Sequence, residues 1–208
     1  MKKSSIKKKK SYHHGNLPET LIKATLELIE STRSTAFSIR DISKLAGVSH
    51  AAAYRHFAGR DEILAVVAER GFVTFKDYLK VAREGEGKNL LEAFRAQIEA
   101  YIRFALSHPI HFRLMFSNEA RGLIQGRFEQ AAAASFLEMQ SLALELIESG
   151  QFRKIPIQQA TTVIWSSIHG FSELVLNGFF SDSIKDADDA VKVSQLLSDN
   201  LLNGLCQK

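Results

Sequence analysis

The sequence predicts an all-α protein, with a three-helix N-terminal head followed by a larger helical body, about nine helices in all. Three observations carry this. Only three prolines occur in 208 residues, at positions 18, 109 and 156. Apolar residues recur at three- and four-residue spacing in stretch after stretch, the period of amphipathic helices. Runs of β-branched strand formers are scarce, and glycines and prolines fall between the periodic stretches. Hydrophobic content of 45% and charged content of 24% are those of a globular chain able to bury a substantial core. Cys206 is the one cysteine, which excludes an intramolecular disulfide and fits a reducing compartment. No run approaches the roughly 20 apolar residues of a membrane span, and the lysine-rich start lacks a signal peptide's apolar core. A cytoplasmic location is expected.

Residues 1–11 are rich in Lys and Ser without hydrophobic period and read as a flexible basic arm. Tyr12-His13-His14-Gly15 follows. Asn16 as N-cap, Pro18 in the first turn and Glu19 at the third position mark the first helix. That helix runs to about Ser31 with Leu17, Leu21, Ala24, Leu28 and Ile29 on one side. Phe37 is placed to enter a small core ahead of the next element.

The stretch Ser38–Arg60 reads as two short helices about one tight turn. Ser38 and Asp41 form a capping box, and Ile39, Ile42, Leu45 and Ala46 make an apolar stripe. Gly47 occupies the reversal, where positive φ is needed. Val48 plugs the angle between the helices, and Ser49 caps the second, about His50 to Phe57. Two short helices about a glycine turn describe a helix-turn-helix, whose second helix enters the DNA major groove. An ordinary helical hairpin inside a core has the same pattern, so the surroundings decide.

The body follows in order. A fourth helix starts at Gly59-Arg60-Asp61-Glu62, with acids in its first turn, and runs to about Arg83. A loop over residues 84–88 leads to helix five, about Asn89 to Leu106, broken at His108-Pro109. A short sixth helix, about Ile110 to Phe116, precedes an irregular connection over Asn118–Gly126. Helix seven spans about Phe128 to Ser149 and opens with the alanines 131–134. Helix eight, about Ile157 to Leu176, is apolar on nearly all sides, which predicts burial all round. Helix nine, about Ala187 to Leu205, carries a narrower seam.

Charge is distributed unevenly. Residues 1–60 hold 12 Lys+Arg and 4 Asp+Glu, a net +8, whereas residues 61–208 hold 15 and 19, a net −4. Positive charge gathered on the helix-turn-helix end is the footprint of a phosphate-binding surface. Arg40, Lys44, Arg55 and Arg60 inside the motif weigh more than the lysine arm, which a solvated tail explains equally well.

The motif residues resemble those of the TetR family of bacterial transcriptional regulators: Ser38-Ile39-Arg40-Asp41-Ile42, Gly47-Val48-Ser49, Tyr54-Arg55-His56-Phe57 and the acidic helix start at Arg60-Asp61-Glu62. The chain is most similar to the branch with Tyr12-His13-His14-Gly15-Asn16-Leu17 before helix one and Trp165 and His169-Gly170 in helix eight. Two features depart from the pattern: Ala51, Ala52 and Ala53 leave the reading helix bare, and Arg60 replaces a more usual lysine.

The resemblance implies a DNA surface of Ser38, Ile39 and Arg40 on the supporting helix, Ser49, His50, Ala51, Tyr54 and His56 on the reading helix, and Arg60 beyond it. Arg55 and His50 are long enough for base edges, Arg40 for a guanine or a phosphate, and the hydroxyls suit phosphates. One reading helix covers too few bases, so two heads on a two-fold axis and a palindromic double-stranded DNA operator are expected, the protein being nucleoid-associated when bound. Helices eight and nine are the expected homodimer surface, through Ile168, Ser172, Val175, Leu176, Phe179, Ser194, Leu197, Leu201 and Leu205. The body suits a small, largely apolar effector. Phe72, Phe75, Tyr101, Phe104, Phe112, Met115, Phe136, Met139 and Trp165 are candidate cavity residues, and His169, Tyr101 or Ser172 candidate polar anchors. Aromatics at helical spacing usually just fill a core, and plain packing accounts for any one of these. The domains expected are the arm 1–11, a DNA-binding domain 12–60, and a ligand-binding and dimerisation domain 61–208. A repressor is the family's usual role.

Two rival classes predict differently. An enzyme reading finds no nucleophile elbow, phosphate-cradling glycine loop or paired-carboxylate motif in the sequence. His108 with His111, or His13 with His14, lack the further ligands of a zinc site, so neither metal nor cofactor is expected. A helical adaptor predicts no salt-dependent duplex binding.

Overall fold

A computed structural model of the protein describes residues 16–117 and 127–206. The lysine arm, the Tyr12-His13-His14-Gly15 element and the 118–126 connection lie outside the described residues. Nine helices occur among the described residues: α1 Leu17–Thr32, α2 Ile39–Ala46, α3 His50–Tyr54, α4 Arg60–Gly85, α5 Leu90–Ser107, α6 Pro109–Met115, α7 Arg127–Glu148, α8 Ile157–Leu176 and α9 Ala187–Leu205. The chain divides into two compact units between Ile63 and Leu64.

In the first unit α1, α2 and α3 pack on one another. The small core is Leu21, Ile22 and Ala24 from α1, Ile39, Ile42 and Ala46 from α2, Ala53 from α3, and Phe57 and Ile63. Leu45, placed on the apolar stripe by its spacing, is 48% exposed. Ser43 is buried instead, with its hydroxyl donating to the Ile39 carbonyl at 2.7 Å. That back-bond satisfies the only polar atom of a small side chain, so Ser43 enters the core where leucine points out. Gly47 adopts φ 68°. The Val48 N–H reaches the Ser43 carbonyl at 3.0 Å and the Gly47 N–H the Lys44 carbonyl at 3.2 Å, the paired bonds of a Schellman ending.

In the second unit α5 is the central helix, packed against α6, α7, α8 and α9. It buries nine of its residues, including Phe94, Ile98, Tyr101, Ile102 and Phe104. The expectation that α8 is buried all round is corrected. Within one chain it buries Ala160, Thr161, Ile164, Ile168 and Ser172, while Val163 and Leu174 are 48% and 41% exposed. Apolarity on a second face marks surface awaiting a partner as readily as core. Near the chain's end, the Arg153 N–H donates to the Leu205 carbonyl at 2.7 Å. This clasps the end of α9 to the turn after α7, beside the buried Phe152, whose ring meets Phe94 edge-on at 5.4 Å.

Gly71 marks a close approach of α4 to α6. A Cβ there would sit 2.6 Å from Met115 Sδ and 3.2 Å from His111 Cβ, so glycine lets Met115 lie against the α4 backbone. Arg83, near the end of α4, pairs with Glu138 and Glu145 of α7 and donates to Ser141 Oγ at 2.8 Å.

Candidate nucleic-acid interface and ligand cavity

The helix-turn-helix starts with a complete capping box. The Asp41 N–H donates to Ser38 Oγ at 3.3 Å, and the Ser38 N–H donates to Asp41 Oδ2 at 2.8 Å. Ser38 Oγ also donates to Asp41 Oδ2 at 2.7 Å. These bonds from Ser38 hold the Asp41 carboxyl below the usual carboxylate range. They also use the hydroxyl's one hydrogen, so Ser38 builds the helix start and offers no donor to a phosphate. Ser49 differs: its Oγ accepts from the Ala52 N–H at 3.2 Å, which leaves its own hydrogen for an acceptor outside.

Arg40, His50, Ala51, Tyr54, Arg55 and His56 are exposed or half-buried, Tyr54 by 52% exposed. They offer two guanidiniums, two imidazoles and a phenol along α2, α3 and the residues just after it. Three expectations change. Ile39 is 5% exposed and belongs to the core, since N1 of α2 points its side chain at α1. The reading helix ends at Tyr54 rather than at about Phe57, because Phe57 turns inward and α4 starts three residues later. Arg60 is already engaged: Nη1 donates to the Thr35 carbonyl at 2.9 Å and Nε to Asp61 Oδ1 at 2.8 Å. It pins the loop between α1 and α2 to the start of α4. Of the three bare alanines, Ala53 is fully buried, so a small residue there lets α3 approach the core.

The body holds a cavity of about 330 Å³ that is partly open to solvent. Its wall is aromatic at one side, with Phe72 and Phe75 of α4, Tyr101 of α5, Phe116 after α6 and Trp165 of α8. The other side is α7, with Ala132, Ala133, Ser135, Phe136 and Met139. The short alanine side chains leave the space that the facing rings do not fill. Six of the residues expected from sequence line it: Phe72, Phe75, Tyr101, Phe136, Met139 and Trp165. Phe104, Phe112 and Met115 are core residues, exposed by 0%, 0% and 4%. Phe112 lies between the rings of Tyr101, at 5.8 Å, and His169, at 5.2 Å. Phe116 and the α7 alanines escape a reading of the sequence, because alanines at helical spacing signal helix propensity and not a wall.

The expected polar anchors are engaged with one another or with backbone. Tyr101 Oη lies 2.8 Å from His169 Nδ1, and Trp165 Nε1 donates to Tyr101 Oη at 3.1 Å. Ser172 Oγ donates to the Ile168 carbonyl at 2.8 Å and is 1% exposed, so it is corrected to core. Burial pushes the Tyr101 phenol well above its ordinary pKa and the His169 imidazole below its own, the nearby Glu173 opposing the latter shift. His169 stands behind the wall, against Phe116 at 4.7 Å. Among the described residues no group of three His, Cys, Asp or Glu side chains is arranged to hold a metal ion.

On α8 and α9 the structure separates inward from outward positions. Ile168, Ser172, Ser194, Leu201 and Leu205 are buried within the chain's own core, because they face α5 and each other, and are withdrawn from the expected interface. Val175, Leu176 and Leu197 are half-buried, and Phe179 is 73% exposed. Val163 and Leu174 on α8 and Leu196 on α9, 65% exposed, join the outward set. A Cβ at Gly170 would meet nothing.

Two family models match the chain. The one described as bacterial regulatory proteins, tetR family, matches residues 21–67, and the one described as tetracyclin repressor-like, C-terminal domain, matches residues 94–194. Among solved structures, the chain is similar to a protein of unknown function from Rhodococcus sp. RHA1, with a TM-score of 0.80 and 28% identity over 96% of this chain and 100% of that one. It shares the fold of the TetR family transcriptional regulator PfmR from Thermus thermophilus, with a TM-score of 0.67 and 20% identity over 88% and 97% of the two chains. It shares it also with the fatty acid degradation regulator FadR from Bacillus halodurans, with a TM-score of 0.71 and 17% identity over 92% and 97%. Regulators of this family bind DNA and small-molecule effectors, act as dimers and are not enzymes. The chain belongs to the TetR family of DNA-binding transcriptional regulators.

Proposed function

We propose that the protein is a homodimeric repressor that binds a palindromic operator through α2 and α3 and is released by a small, largely apolar effector held in the body. The observation that carries this is the pairing of two features in one chain: outward-facing Arg40, His50, Tyr54 and Arg55 on a capped helix-turn-helix, and an aromatic-walled cavity of about 330 Å³ in the body. His50 and Arg55 are the base-edge candidates, and Arg40, Ser49, Tyr54 and His56 the phosphate contacts. The dimer forms through the outward stripes of α8 and α9, with Val163, Leu174, Phe179 and Leu196 at its centre. Effector binding shifts the population toward a dimer whose reading helices no longer match successive grooves. α4, which starts in the first unit and continues into the second, is the covalent path between effector and reading helix. The protein acts in the cytoplasm, at the nucleoid. Selection of bound duplexes from a random pool tests this reading. A two-fold symmetric motif is expected, and a pool with no enriched sequence would refute it.

A further inference from the structure

The cavity wall narrows the chemistry of its ligand. Among the described residues, those lining the cavity carry no charged side chain. Their polar atoms already have partners. The Trp165 indole N–H can only donate, so the Tyr101 oxygen accepts there. Tyr101 Oη and His169 Nδ1, 2.8 Å apart, satisfy each other. Ser135 Oγ donates to the Ala132 carbonyl at 2.8 Å. A carboxylate buried against this wall would give up hydration and, among the described lining residues, find neither a cation nor a free donor to replace it.

We propose that the cavity takes an uncharged apolar molecule and discriminates against the carboxylate form of the same skeleton. This rests on the effector reading above and specifies the ligand's class. A volume of about 330 Å³ is at the lower end for small-molecule sites, which favours a ring with a short chain over a long extended one. The edge-to-face rings of the wall, such as Phe75 and Tyr101 at 5.0 Å, offer the packing that an aromatic body prefers.

Trp165 is the single tryptophan and stands in the wall, so its emission reports occupancy directly. Phenylbutanol and phenylbutyrate, matched in shape and differing in charge near neutral pH, are titrated into the full-length protein. The alcohol is expected to give a saturable change in emission, and the carboxylate to bind at least about tenfold more weakly. Ala133→Arg, at an exposed position of the wall, supplies the missing cation and is expected to reduce that ratio to less than about threefold. Ala132→Leu fills the space and is expected to weaken the alcohol at least about tenfold while the helical circular dichroism is kept. A carboxylate binding as tightly as the alcohol overturns this proposal and leaves the effector reading standing. An alcohol affinity untouched by Ala132→Leu, or an unchanged ratio in Ala133→Arg, also overturns it. Failure of both probes to bind overturns the effector reading along with it.

Discussion

Tyr101→Phe isolates the polar link at the centre of the body. Tyr101 is fully buried, and its hydroxyl makes two bonds, at 2.8 Å to His169 Nδ1 and 3.1 Å from Trp165 Nε1. Each bond contributes about 1 kcal/mol net, and a partner left unsatisfied in the interior costs about 1–3 kcal/mol. Trp165 is 36% exposed and His169 half-buried, so water partly replaces the lost partners and the penalty sits at the low end. Removing a buried hydroxyl offsets a little more. The expected loss is about 2 kcal/mol, which for a body of this size lowers Tm by about 4–8 °C. The assay is thermal unfolding by circular dichroism, at fixed protein concentration because a dimer's Tm depends on it. A double-mutant cycle with His169→Asn is expected to show a coupling of at least about 0.5 kcal/mol. A Tm within about 1 °C of the parent, or additive single effects, would refute the claim that these three side chains form one bonded unit.

Other perturbations separate the parts of the molecule. Gly47→Ala places a β-carbon at φ 68° and is expected to cost about 1–2 kcal/mol, read as a lowered denaturant midpoint for the head. Arg40→Ala is expected to weaken duplex binding across sequences and to flatten the slope of log affinity against log salt by about 0.9 per protomer, whereas Arg60→Ala, which releases the Thr35 carbonyl, is expected to lower stability and leave that slope unchanged. Burial holds His169 and His111 below their ordinary values; the unfolded chain therefore takes up their protons first, and stability is expected to fall as pH drops below about 6.5, less steeply in His169→Asn, as melts across that range would show. Paired Leu174→Glu and Leu196→Glu put charge on the outward stripes of α8 and α9 and are expected to shift sedimentation toward the monomer.

Much of the head is legible in the sequence because its signals are local. Ser38, Asp41, Gly47 and Ser49 act within four residues of themselves, and the structure shows each cap and turn where spacing places it. What is not legible depends on partners distant in sequence. Arg60 reads as a free cation, yet the Thr35 carbonyl, twenty-five residues earlier, holds it. The resemblance puts Ile39 at the DNA surface while its spacing puts it on an apolar stripe, and the packing of three helices buries it together with Ala53. In the body, apolarity alone does not separate the central helix from a half-exposed one, so α8 reads as the more buried although α5 occupies the centre. The cavity is half legible: rings announce themselves, whereas the alanines opposite them do not. Phe104, Phe112 and Phe116 follow one another within a short stretch of sequence, and only Phe116 reaches the wall.

Hydroxyl-radical footprinting on the selected duplex tests the central claim most directly, that two copies of the α2–α3 surface read one operator. Two equivalent protected patches are predicted on one face of the duplex, related by a two-fold axis and centred about 34–36 Å apart or a multiple of that distance. Both are predicted to fade together in Arg40→Ala. A single unsymmetrical patch, or protection unaffected by that substitution, would contradict the account.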